Sequence, residues 1–163
     1  MKHTLSVLVE NHAGVLSRIS GLFARRGFNI HSLAVGVTED AAVSRVTIVA
    51  EGDDYTLEQI AKQLNKLVDV IKVRSVKGDE LLSRELMLIK VNCSPAQRPE
   101  LIAIAEINEA KISDVSQSTM TLELSANQQR IAAFEELVKP YGVKEIARTG
   151  VVALQKGAGA INS

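Results

Sequence analysis

Residues 5–30 read LSVLVENHAGVLSRISGLFARRGFNI. Leu5, Val7 and Val9 alternate along the chain with the period of a half-buried strand. Val15, Leu16, Ile19, Leu22 and Phe23 then recur at offsets 0, 1, 4, 7 and 8, which places them on one helical face. Asn11-His12-Ala13-Gly14 joins the two as a turn that feeds straight into the helix N-terminus. Arg25 and Arg26 fall in the last turn, where cations suit the helix dipole, and Gly27 is a natural left-handed terminator. Phe28, Asn29 and Ile30 open the next extended run. A helix N-terminus carries unpaired N–H groups and partial positive charge, so this turn is able to hold a carboxylate without a basic side chain. The same residues also suit a strand–turn–helix that binds nothing, with Gly14 easing the turn and Asn11 acting as an Asx-type turn residue. The rest of the chain has to decide between the two.

The composition is that of an ordinary globular chain. Of 163 residues, 46% are hydrophobic and 23% charged, and nineteen basic side chains balance nineteen acidic ones. Phosphate binding leaves a basic footprint and single-strand binding needs stacking platforms. With three Phe, two Tyr and no Trp beside that neutral balance, no nucleic-acid partner is expected. Cys93 is the only cysteine, which rules out an internal disulfide and points to a reducing compartment. It follows an apolar strand and is expected to pack there. No apolar run reaches membrane-spanning length, and strand-like sequence by Leu5 leaves no room for a leader, so a cytoplasmic protein without a membrane partner is expected.

Further along, residues 28–37 and 44–50 read as strands, the second alternating Val46, Ile48 and Ala50 with other residues. Thr56 and Gln59 have capping-box spacing ahead of a helical face of Leu57, Ile60, Ala61, Leu64, Leu67 and Val68. Residues 70–76 form a fourth strand. The order βαββαβ then repeats. A strand at 85–91 leads to a helix with Pro99 at its first position, and two strands, 111–116 and 119–124, turn at Gln117-Ser118. Asn127 caps a helix whose Ile131, Phe134, Leu137 and Val138 face inward, and residues 143–154 make one long last strand. The fold class expected is α+β, two tandem ferredoxin-like units. Residues 1–78 form the first domain, 79–83 a linker, 84–157 the second domain and 158–163 a flexible tail. The second half has no Asn-x-x-Gly turn; a proline-bound turn at 94–99 stands in its place.

Catalytic chemistry is not legible. His3, His12 and His31 have no metal-ligand spacing to Cys, Asp or Glu, and His12 reads as an exposed loop residue. There is no GxSxG, no GxxxxGK[ST] and no GxGxxG after a strand. No catalytic residue and no metal site are assigned.

The run LSVLVENHAGVLSRISGLFARRGFNIHSLAVG, followed by SRVTIV, EQIAKQLNKLVDVIKV, RELMLIKV and IARTGVVAL, resembles the small regulatory subunits of acetolactate synthase (acetohydroxyacid synthase). The amino-terminal half looks like their ACT domain. The resemblance implies a non-catalytic chain that binds and activates a larger catalytic subunit, with thiamine diphosphate, magnesium and FAD belonging to that subunit and no cofactor in this one. It further implies a homodimer and feedback inhibition by valine or a related branched-chain amino acid. The effector would sit between Asn11, Gly14, Val15 and Leu16 of one copy and Asn29 and Ile30 of the other. N–H groups of residues 14–16 would take the carboxylate, the two Asn oxygens the ammonium, and Val15, Leu16 and Ile30 the aliphatic side chain. At His12-Ala13 that family more usually has an acidic or polar residue followed by Pro, Ser or Ala, and His31 and Ala34 stand where acidic and hydroxyl residues are common. A free-standing tandem ACT sensor acting on a transcription factor is the alternative.

Overall fold

The chain's first strand is covered on both faces. In a computed structural model, which describes residues 1–161, β1 (Lys2–Glu10) is buried from His3 to Val9. The half-buried strand expected from its alternation is therefore corrected. Leu5, Val7 and Val9 join the core, while Ser6 on the other face accepts a hydrogen bond from Nη2 of Arg45 at 3.0 Å. A central position explains this: β1 lies between β3 (Val43–Glu51) and β4 (Val70–Val76) in an antiparallel sheet of order β2-β3-β1-β4, with β2 (Asn29–Val37) at the edge.

Helix α1 (Val15–Arg26) buries Val15, Ile19, Leu22 and Phe23 against that sheet. Each such aliphatic or aromatic side chain removed from water contributes roughly 1.5–3 kcal/mol. The helix ends as its sequence dictates. Gly27 adopts φ 67°, its N–H reaches Ala24 O at 3.3 Å, and the N–H of Phe28 reaches Phe23 O at 3.0 Å. Those two bonds define a Schellman motif. Phe23 and Phe28 seal it edge-to-face with ring centroids 5.8 Å apart. This lock sets where Asn29 begins β2.

Helix α2 (Asp54–Asn65) starts three residues earlier than the Thr56–Gln59 spacing suggested, because the Asp53 carboxylate accepts from the Thr56 N–H at 2.8 Å. Its end at Asn65 leaves Val68 out of helical phase and exposed.

In the second half, β5 (Leu81–Asn92), β7 (Thr119–Ala126), β6 (Lys111–Val115) and β8 (Val143–Arg148) form a sheet of order β6-β7-β5-β8. Helices α3 (Arg98–Ile107) and α4 (Gln128–Val138) close its core around Met87, Ile89, Leu101, Leu122 and Phe134. Cys93 is buried in the same core. Asn127 caps α4 as expected, accepting from the Arg130 N–H at 2.9 Å. Leu137 lies on the flank of that helix and is exposed, not inward.

The single strand expected over 143–154 is broken. Gly150 takes φ 82°, the Leu86 N–H donates to Thr149 Oγ1 at 3.1 Å, and a separate β9 (Val152–Gln155) follows. The chain thus divides into Ser83–Gly150 and a unit made of Met1–Leu82 together with the segment from Val151 onward. Residues 151–157, read as the end of the second domain, group with the first unit. The tail expected at 158–163 extends past the described residues at 162 and 163. Before them, Ile161 is buried and Ala160 O accepts from Arg74 Nη1 at 2.7 Å. Both units are α+β and ferredoxin-like. Among the described residues no helix is long and apolar enough to cross a membrane.

Candidate effector site

The turn after β1 is built by its own hydrogen bonds. The Asn11 N–H donates to Ala42 O at 2.8 Å, and its Nδ2 donates to Ala41 O at 3.0 Å. With its nitrogen tied to the β2–β3 connection, Asn11 has its amide oxygen to offer. Gly14 sits at φ 90°, the left-handed region that disfavours any side chain, and its carbonyl accepts the first helical bond from the Arg18 N–H at 3.0 Å. No side chain caps the start of α1. The N–H groups of Gly14, Val15 and Leu16 therefore have no partner within the helix, and a carboxylate is the natural acceptor for them.

The remaining residues divide by position. Leu16 is 43% exposed beside the turn, whereas Val15 is turned into the core. The aliphatic lining expected from Val15 is corrected accordingly, and what it can offer at the turn is its N–H. Asn29 is exposed and donates from Nδ2 to Glu51 Oε2 at 3.0 Å, and Ile30 packs partly against the core.

Register separates the two groups. Glu10 pairs with Val43, and Asn29 pairs with Glu51. Eight residue steps of β3 lie between those rungs, about 27 Å at the usual rise of a strand. One copy of the chain therefore cannot bring Asn29 and Ile30 to Gly14.

Three residues behind the turn were not assigned from sequence. Asp69, 5% exposed, accepts from Arg18 Nε at 2.6 Å and also pairs with Arg18 Nη2. His12 Nε2 lies 2.9 Å from Asp69 Oδ1 and 3.2 Å from Glu10 Oε2. The other ring nitrogen, Nδ1, lies 3.2 Å from Ala13 O. Glu10 N–H donates to Asp69 O at 2.9 Å, which fixes the acidic residue against β1. Arg18 also leans over Gly14, so that a Cβ built there would lie 3.1 Å from its Nη1. The spacing of Gly14 and Arg18, one helical turn, was a signal available in the sequence. The place of Asp69 was not, because it depends on β4 pairing with β1 at Val9–Val70.

What this arrangement can do is bind a small anion at a helix start whose backbone is braced from behind. Its carboxylates are paired with Arg18 and His12.

Comparison with known proteins places the chain in a family. Residues 5–72 match the family described as AHAS small subunit-like ACT domain, and residues 84–157 match the family described as small subunit of acetolactate synthase. A protein of Archaeoglobus fulgidus described as a probable acetolactate synthase small subunit is 50% identical over 157 residues, covering 96% of this chain and 98% of that protein. The acetolactate synthase small subunit of Mycolicibacterium smegmatis is 49% identical, covering 95% of this chain and 91% of that protein. The crystal structure of the acetolactate synthase small subunit of Thermotoga maritima superposes with a TM-score of 0.91 at 40% identity, covering 98% of this chain and 99% of that one. With both halves matched and the fold reproduced from end to end, the chain belongs to the acetolactate synthase small-subunit family, the regulatory and not the catalytic part of that enzyme.

Proposed function

We propose that this chain binds and activates the catalytic subunit of acetolactate synthase and confers feedback inhibition by valine or a related branched-chain amino acid. The carrying observation is the register of β3, which holds the two halves of the effector site about 27 Å apart in one copy. A homodimer resolves this. β2 is an edge strand, and its exposed Val35 and Val37 make an apolar, unpaired border of the sort that invites pairing. Antiparallel pairing of two β2 edges about a two-fold axis sets the start of one strand beside the end of the other. Asn29 and Ile30 of a second copy then approach the end of the sheet that carries the Gly14 turn.

In this reading the effector carboxylate takes the N–H groups at residues 14–16. Its ammonium meets the oxygens of Asn11 and of the second copy's Asn29, and Leu16 and Ile30 flank its side chain. The condensation chemistry belongs to the partner, with thiamine diphosphate, magnesium and FAD held there. Effector binding at a subunit interface favours one dimer arrangement, and a coupling of roughly 1–3 kcal/mol changes partner affinity about 5- to 150-fold. Reconstitution with the catalytic subunit tests this. Activity should rise on adding the chain and fall on titrating valine, and a holoenzyme indifferent to valine, leucine and isoleucine would overturn the effector assignment.

A further inference from the structure

His12 stands two residues before Gly14, in the turn that leads to the proposed carboxylate position, and oxygens face both of its ring nitrogens. Nδ1 faces Ala13 O at 3.2 Å, and Nε2 faces Asp69 Oδ1 at 2.9 Å and Glu10 Oε2 at 3.2 Å. All three are carbonyl or carboxylate oxygens with no hydrogen to give. A neutral imidazole has one N–H and satisfies one side only; the imidazolium satisfies both. Only the imidazolium meets the oxygens on both sides of the ring as a donor.

We propose that His12 is a positioning residue whose proton sets the strength of effector binding, because the imidazolium ties the Ala13–Gly14 peptide to the acidic pair behind the turn. This rests on the effector reading above. The carbonyl held by Nδ1 and the Gly14 N–H that faces the effector belong to one planar peptide group, so fixing one end aims the other. The anchor is independent of the ring. Asp69 is held by Arg18 from α1 and by the Glu10 N–H from β1. The charged groups facing His12 are thus Glu10 from β1 and Asp69 from the segment entering β4, with Arg18 of α1 behind Asp69.

Loss of the proton sets a lone pair against an oxygen on one side of the ring, frees the peptide and removes a positive charge from beside the bound carboxylate. The Ala13 carbonyl, then the Glu10 side chain, then the charge of Asp69 raise the His12 pKa above 6.5. Binding is therefore strong below that raised value and weakens as pH rises through it. By reciprocity, bound effector raises the His12 pKa further.

The test is calorimetric titration of the full chain with valine from acidic to mildly alkaline pH. Affinity should fall by roughly 5-fold or more across the His12 titration, the lower range of site-to-site coupling. His12→Gln keeps a single neutral donor and should give a flat profile near the weak limb. An identical pH profile in wild type and His12→Gln would overturn the proposal. The Gly14 amide resonance supplies an effector-free reading. It should titrate with His12 in wild type and stay still in His12→Gln, and a Gly14 amide indifferent to His12 would also overturn it. Absence of amino-acid binding at every pH would instead remove the effector reading, leaving the Gly14 resonance to decide the positioning role.

Discussion

Arg18 donates Nε–H to Asp69 Oδ2 at 2.6 Å, tying the first turn of α1 to the strand on the far side of β1. Asp69 is buried, whereas the Arg18 side chain is about half exposed. Arg18→Gln leaves that carboxylate with His12 as its only cationic neighbour among the described residues, and the expected cost is about 1–3 kcal/mol of stability. This lies below the loss for a fully buried pair because water reaches the guanidinium. A urea titration checks it; an unchanged midpoint would mean the pair is a surface contact in effect.

Gly14→Asp should abolish valine inhibition while co-purification with the catalytic subunit persists. Two effects act together: a side chain at φ 90° is strained, and the new carboxylate would occupy the proposed anion position, where Arg18 Nη1 stands close. Gly14→Ala carries only the strain, about 1–2 kcal/mol, and should weaken inhibition without removing it. Full valine sensitivity in the Asp variant contradicts the assignment.

In the proposed site, Asn29→Ala removes an acceptor for the effector ammonium. Hydrogen bonds to charged groups contribute about 1.5–3 kcal/mol, so valine affinity measured by calorimetry should drop roughly 10- to 100-fold. The residue is exposed and its side chain donates to the exposed Glu51, so the thermal midpoint should hardly move. Unchanged affinity would take Asn29 out of the site.

Tyr141 donates its hydroxyl to Glu100, and desolvation first, then that carboxylate, pushes its pKa up to about 12. In an ultraviolet titration Tyr141 should ionise well above the ordinary tyrosine value of about 10. The sign follows from linkage. A folded value above the unfolded one of about 10 supplies stability below pH 10 that is lost as pH rises toward 12. Tyr141→Phe should lose this part of the alkaline sensitivity. A phenol that titrates in the ordinary range and vanishes in Tyr141→Phe would refute the contact.

The first unit was legible because its signals are local. One face of α1, the Schellman glycine and the Asn11–Gly14 turn each lie within a few residues of what they organise. The errors in both halves were also local competitions: Asp53 outcompeted Thr56 as the cap in the first, and in the second Gly150 interrupted a strand that looked continuous through Val151 and Val152. Backbone donors of the candidate site could be read from Gly14. The brace behind them could not, since Asp69 meets Arg18 across fifty-one residues only once β4 has paired. Val15 shows a subtler limit: hydrophobic periodicity marks a core face, and a core-facing side chain is unavailable to a ligand.

The first unit is completed by chain that follows the second. Val151 donates its N–H to Ser32 Oγ at 2.8 Å, across 119 residues of sequence. During vectorial synthesis the first unit thus emerges early yet gains the Val151 segment only after the whole of Ser83–Gly150 has been made. Translation that stops before Val151 would release a molecule with an intact Gly14 turn and an open seam, one that matures late or is cleared.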